Sequence, residues 1–213
     1  RGIETITYML KGEVEHQDSL GNKGVITPGS VQWMTASGGI IHQEMPVDQG
    51  EGELWGFQLW ANLPAEHKMM SPRYREIKAD EIPLVNREDG TKIRIICGEV
   101  DGVQGPAQNI VTRPTYLDIT VPPDTEFTLD TPKTHNAFAY VIDGEGYFDP
   151  RKDTYAHDMS PDGYLHFERD PIIRPRSLVK YGQGDSIFVC TKDLPVRFLF
   201  ASAVPLNEPI AWY

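Results

Sequence analysis

Cysteine is scarce in this chain of 213 residues: it has two, Cys97 and Cys190, each inside an apolar run, Ile95-Ile96-Cys97 and Phe188-Val189-Cys190. That excludes a scaffold built on disulfides. Two such thiols read as reduced core residues and predict a cytoplasmic protein, or a nuclear one in a eukaryote. Long hydrophobic runs are also missing. No stretch approaches the roughly 18 apolar residues of a membrane span, and no basic-then-apolar leader precedes the first strand-like run, so a soluble chain with no membrane partner is expected. Basic clusters are absent as well. Twenty Lys and Arg stand against 31 Asp and Glu, a formal charge of -11, and the densest basic stretch, 169–176, is diluted by Asp170, Pro171, Ile172 and Ile173. Such a chain repels phosphate backbones, which argues against direct nucleic-acid binding and leaves a basic protein partner open. Helical periodicity is confined to residues 65–70, where Pro64 and Pro72 leave room for about two turns.

What the sequence does have is short apolar or alternating runs rich in β-branched and aromatic residues, set between Gly, Pro, Asn and Asp. Strands are predicted over 3–10, 55–59, 117–121, 138–142, 186–190 and 196–201. Seventeen prolines and 19 glycines suit many tight turns, and the fold class is all-β, sandwich or barrel. Sliding the chain against itself exposes a repeat. The run Gly2 to Glu13 matches Thr134 to Glu145, Tyr8 on Tyr140 and Gly12-Glu13 on Gly144-Glu145, and further on Pro28-Gly29-Ser30-Val31 is matched to Gln183-Gly184-Asp185-Ser186. The second half carries extra residues, 149–180, read as a long surface loop.

One pair carries chemistry. In Gly39-Ile40-Ile41-His42-Gln43-Glu44-Met45-Pro46, a strand would put His42 and Glu44 on one face with Cα atoms roughly 6 to 7 Å apart. An imidazole nitrogen and a carboxylate oxygen converging in a barrel interior suit Fe, Mn, Ni or Cu, and the lack of thiolates disfavours a structural zinc site. Taken alone, the two residues favour a solvated surface strand, or a His-Glu hydrogen bond at a barrel mouth.

The order Gly-x-Glu-Thr-x-Thr-Tyr, Gly-Glu-Val-Glu-His-x-Asp-Ser-x-Gly-Asn, Pro-Gly-x-Val-Gln-Trp-Met-Thr-Ala and Gly-Ile-x-His-x-Glu-Met-Pro, all within Gly2 to Pro46, resembles the N-terminal cupin of the pirin family. Leu59-Trp60-Ala61-Asn62-Leu63 and Leu206-Asn207-Glu208-Pro209-Ile210 also look like segments of that family. The resemblance implies a bicupin: two cupin barrels (double-stranded β-helix, jelly-roll) in tandem, divided here as 1–76 and 77–213. It implies one iron-type metal in the first barrel, held by three histidines and a glutamate. Two of those histidines belong to a His-Pro-His-Arg-Gly motif of which Arg1-Gly2 would be the last two residues; the other two ligands fall on His42 and Glu44. On this reading the chain is trimmed at both ends, holds metal weakly or not at all, and is inactive as it stands.

The remaining histidines are expected elsewhere. His16 alternates with charged neighbours and is read as exposed at a strand end, yet it is the first suspect should another ligand be needed. His67, His157 and His166 are read as solvated, and His135 belongs to the second repeat. In that repeat's register Asp130, Pro132, Arg197 and Leu199 take the four ligand positions, so the second barrel looks free of metal. Glu4 is read as polar core or as orienting a ligand, and Met9, Trp33, Met34 and Phe57 as plain core or as walls of an apolar pocket around the metal.

Two functions follow from the resemblance. One is a metal-dependent dioxygenase acting on flavonols, of the quercetin 2,3-dioxygenase type, with Glu44 as metal ligand or as acceptor of the substrate proton. The other is a non-enzymatic, iron-dependent transcriptional or metabolic co-regulator working through protein partners.

Overall fold

A computed structural model describes residues 1–47, 52–151 and 171–209. The alternating runs become strands β1 (Ile3–Lys11), β2 (Val14–Asp18), β3 (Lys23–Ile26), β4 (Val31–Thr35), β5 (His42–Pro46), β6 (Trp55–Asn62), β7 (Arg73–Ile77), β8 (Leu84–Asn86), β9 (Lys92–Cys97), β10 (Glu99–Val100), β11 (Val103–Gln104), β12 (Thr115–Val121), β13 (Glu126–Asp130), β14 (Asn136–Gly144), β15 (Leu178–Lys180), β16 (Ser186–Cys190) and β17 (Val196–Ala203). The one helical candidate shrinks to a single 3-10 turn, Ala65–His67, as its flanking prolines require. Among the described residues no helix is long and apolar enough to cross a membrane. Both cysteines are buried, and neither forms a disulfide.

The first half folds as two sheets, ordered β6-β1-β4-β7 and β3-β2-β5. The second half has a six-stranded sheet, β15-β14-β17-β12-β9-β8, with the pair β13-β16 as its counterpart. Period-two alternation gives β1 two different faces. Ile6 and Tyr8 enter an apolar cluster that also holds Val31 and Trp33 from β4 and Tyr116, Ile142, Leu199 and Ala201 from the second half. Thr5, Thr7 and Met9 turn the other way. The two halves therefore share one core, and it is pinned by a polar contact. Tyr8 Oη donates to Asp118 Oδ2 at 2.7 Å, and Arg197 grips the same carboxylate at 3.0 and 2.6 Å.

The repeat is real, but its second marker sits elsewhere. β1 and β14 each pair with two neighbours, and their ladders with β6 and β17 shift register at the same place, between Met9 and Lys11 and between Val141 and Asp143. Gly29 N–H donates to Met9 O and Met9 N–H to Ser30 O; Arg176 N–H donates to Val141 O and Val141 N–H to Ser177 O. Gly29 at φ 80° and Arg176 at φ 67° both take the left-handed turn conformation. Hence Pro28-Gly29-Ser30 corresponds to Pro175-Arg176-Ser177, and not to Gln183-Gly184-Asp185. The glycine at 184 drew the alignment away because the second half places an arginine where a turn of this kind favours glycine.

Three corrections follow. The segment 149–180 is not one loop: Ile173 bridges Gly146 and β15 takes the place of β4, while residues 152–170, with His157 and His166, lie outside the described residues. Arg197 and Leu199 lie on β17, the counterpart of β6. Tyr147 bridges Cys190 as Glu15 pairs with Met45, so the counterparts of His42 and Glu44 are Ile187 and Val189. Opposite them on β13 stand Leu129 and Phe127, whereas Asp130 faces Ser186 and Pro132 lies beyond the strand. These four side chains, with Phe148 at the position of His16, are buried in the core of the second barrel, where Phe148 meets Phe198 edge-on at 5.2 Å. Carbon side chains fill the space and supply no donor atom.

The Tyr8–Asp118–Arg197 contact should be a main source of stability. Tyr8→Phe is expected to cost about 1.5 kcal/mol, as a hydrogen bond to a charged group, and Asp118→Ala about 3 kcal/mol, because it strips Arg197 of its buried partner. Shifts of the urea unfolding midpoint measure both.

Candidate functional site

The inner face of the first barrel is polar, and register explains why. Thr7 on β1 lies between Gln32 on β4 and Gln58 on β6, and Gln32 lies beside Glu76 on β7. From the smaller sheet come His16 opposite Glu44 and Asp18 opposite His42. Cross-strand partners share a face, so these residues of six strands point polar atoms into one space. Trp60 and Gln58 are exposed, His42 is exposed and Glu44 is half-buried. The chamber is thus open to solvent along β5 and β6.

Glu44 is held from both sides. Thr7 Oγ1 donates to its Oε1 at 3.3 Å and Gln58 Nε2 to its Oε2 at 2.9 Å. Gln58 also reaches Thr7 Oγ1 at 3.2 Å, and its own oxygen accepts from Trp60 Nε1 at 2.8 Å. One glutamine therefore links the carboxylate to a tryptophan that is 66% exposed. His42 extends from the same strand face as Glu44 and makes no hydrogen bond among the described residues. Asp18 is committed to its own turn: Oδ1 accepts from the Leu20 and Asn22 N–H groups, and Oδ2 from Asn22 Nδ2. Burial pushes that carboxyl up, but these hydrogen bonds outweigh it and hold the group below its ordinary value.

His16 corrects its sequence reading. It is 3% exposed, packed beside Tyr74 with ring centroids 5.0 Å apart and hydrogen-bonded to Tyr74 Oη, which in turn accepts from Gln32 Nε2 at 2.8 Å. The charged neighbours that suggested exposure are cross-strand partners or turn residues; β3 and β5 cover the histidine on both sides. Glycine at 24 leaves room for the ring: a Cβ there would come within 2.6 Å of His16 Nε2, and the imidazole would have to shift. Burial lowers the imidazole pKa, with Glu76, Glu44, Asp18 and Glu15 pulling the other way. Glu4 is not part of the site. It lies on the opposite face of β1, buried, accepting from Thr35 Oγ1 at 2.6 Å. Trp33 and Phe57 likewise belong to the core between the halves, while Met9 packs with Val14 and Ile26.

The donor atoms on β5 suit a first-row divalent ion, but they are two. Among the described residues no group of three or more His, Cys, Asp or Glu side chains is placed to hold a metal ion, and a catalytic centre usually keeps about three protein ligands. Both Glu44 oxygens are engaged, and both His16 nitrogens lie against Tyr74 Oη. The described residues fit part of a centre and do not complete one.

Comparison with known proteins decides the family. The Pirin family model matches residues 1–61, and the Pirin C-terminal cupin domain model matches residues 116–213. The chain belongs to the pirin family. It is 39% identical to a pirin-like protein of Solanum lycopersicum and 36% identical to one of Caulobacter vibrioides, in each case over 100% of this chain and over 66% and 70% of those proteins. A solved quercetin 2,3-dioxygenase from Acinetobacter baumannii superposes with a TM-score of 0.82 at 30% identity, covering 100% of this chain and 68% of that one. The chain thus spans about two thirds of the length of these relatives. The two barrels are those of a bicupin, as the pirin-like motifs implied.

Thr7, Gln32, Gln58, Trp60 and Tyr74 were missed as site residues in this pirin-family chain. Only Thr5 and Thr7 carried a signal, as polar residues at alternate positions of an apolar strand. Removing both donors to Glu44 with Thr7→Val and Gln58→Leu is expected to weaken divalent-metal binding about tenfold, read by competition with a chromophoric chelator. For His16, a folded pKa below the unfolded one means that the unfolded chain takes up the proton first. Its contribution to stability is complete above about pH 6.5 and is lost as the pH falls through the folded value. Urea midpoints at pH 7.5 and 5.5 should differ less in His16→Gln than in the parent protein.

Proposed function

We propose that the first barrel is the reaction chamber of a metal-dependent oxygenase acting on a planar phenol of the flavonol class, with His42 and Glu44 among the donors to the metal. The observation that carries this reading is the network around Glu44, in which Gln58 fixes the carboxylate and the exposed Trp60 ring together. Family membership and the likeness to a solved quercetin 2,3-dioxygenase support it. Iron is the first candidate, with Mn, Ni and Cu as alternatives, since imidazole and carboxylate donors suit them all. A bound divalent ion would supply open positions at which substrate oxygen and dioxygen meet.

The chain's own side chains have separate tasks. Trp60 offers a flat apolar face on which a flavonol ring can stack. Glu44 Oε1, facing only the longer hydrogen bond from Thr7, is the atom assigned to take the substrate hydroxyl proton. Thr7 and Gln58 keep that oxygen oriented. His16, Tyr74 and Gln32 form a bonded wall behind β5 and hold the strand's inner face in place.

Quercetin turnover by the full-length protein, followed by the loss of its visible absorbance in air with Fe, Mn, Ni or Cu added in turn, tests the assignment. Glu44→Gln is expected to lower kcat about a hundredfold, and Trp60→Ala to raise KM with little change in kcat. No turnover of quercetin or of a flavonol panel with any of the four metals would sink the proposal.

A further inference from the structure

We infer that the second half carries a separate binding site for a small organic anion, whose carboxylate or phosphate head is taken by Arg113 and His135. A cavity of about 670 Å3 lies between segment 97–115 and residues 132–135, within the usual range for small-molecule sites. None of the residues lining it belongs to the Glu44 network. Its floor is apolar, from Ala107, Ile110 and Pro114. The Cys97 thiol in its wall donates to Ala107 O and is pushed up to about 12 by burial, so it brings no negative charge.

Charge selects the ligand. In a chain of net charge -11, Arg113 is exposed and has no carboxylate partner among the described residues. His135 lies close enough for Arg113 to join burial in lowering its pKa, which keeps the ring neutral near pH 7. Its Nδ1 is 3.3 Å from Ser202 Oγ; with that hydroxyl donating, Nε2 carries the proton and donates in turn. The lining contains one acid, Glu99, which already accepts from Gln104 Nε2 at 3.1 Å. A guanidinium and an imidazole N–H at one opening suit a single anionic head, because a guanidinium can give two parallel hydrogen bonds to it.

The wall is also preformed. Arg113 sits at φ 45°, a left-handed conformation that persists in an arginine where the surroundings enforce it, and Asn109, a residue that tolerates that conformation, sits at φ 56°. Those surroundings are visible: Arg73 and Arg75 of β7 donate to the carbonyls of Asn109 and Gln108. The first half thereby braces the segment that carries Arg113.

Calorimetric titration of the chain with benzoate, phenyl phosphate and the neutral control benzamide, with amide chemical shifts recorded in parallel, tests the site. At least one anion should bind, benzamide should not, and the shifts should centre on segment 97–115 and residues 132–135. Which anion binds more tightly identifies the head group. Arg113→Gln is expected to weaken the anion about tenfold or more, Arg113→Lys to weaken it less, because it keeps the charge and loses the paired hydrogen bonds, and His135→Phe, distant from the left-handed backbone, to weaken it about threefold. Equal binding of benzamide, unchanged affinity in both Arg113→Gln and His135→Phe, shifts centred elsewhere, or no binding of either anion at millimolar concentration would each overturn the inference.

Discussion

The packing of one sheet face from each half against the other is the constraint on which everything else depends. β1 and β4 give Ile6, Tyr8, Val31 and Trp33 to that shared core, and β12, β14 and β17 give Tyr116, Ile142, Leu199 and Ala201. Because a strand alternates its side chains, committing Ile6 and Tyr8 outward commits Thr5, Thr7 and Met9 inward. The character of the first chamber is therefore fixed by how the barrel docks on its neighbour. Asp118 closes the arrangement, since a buried carboxylate must find its partners and finds Tyr8 from one half and Arg197 from the other.

The two barrels share topology and part company in their interiors. Where the first has His16, His42 and Glu44, the second has Phe148, Ile187 and Val189, packed with Phe127, Leu129 and Phe198 into a closed apolar core. A polar chamber open to solvent costs stability that an apolar one would supply. The first barrel offsets that cost with a connected hydrogen-bond network in which Thr7, Gln58 and Glu44 satisfy one another and Gln32, Tyr74 and His16 do the same. The second barrel's core in turn backs the sheet on which the first is docked.

Much of this was legible in the sequence. Period-two runs placed the strands, and the edges differ mainly by one or a few terminal residues, as with β6, expected over 55–59 and found over Trp55–Asn62. The match of Tyr8 with Tyr140 marked true structural counterparts, down to a shared register shift. Less was legible where the signal was one residue. Gly184 mimicked a turn that Arg176 actually makes, so the counterpart of β5 was sought one strand too late. His16 looked exposed because its neighbours in sequence are charged, while its neighbours in space are Gly24, Tyr74 and Glu44.

The sequence by itself determined the all-β class, the repeat, the membership in the pirin family and the placing of His42 and Glu44 on one face of one strand, because all of these rest on local periodicity and on motifs written along the chain. The tertiary structure alone decided that Gln58 would tie Glu44 to Trp60, that His16 would be buried, that Glu4 would face away from the chamber and that Arg113 and His135 would line one cavity. Each of those depends on pairing between strands far apart in the chain, and register between distant strands is set by which faces can be buried together.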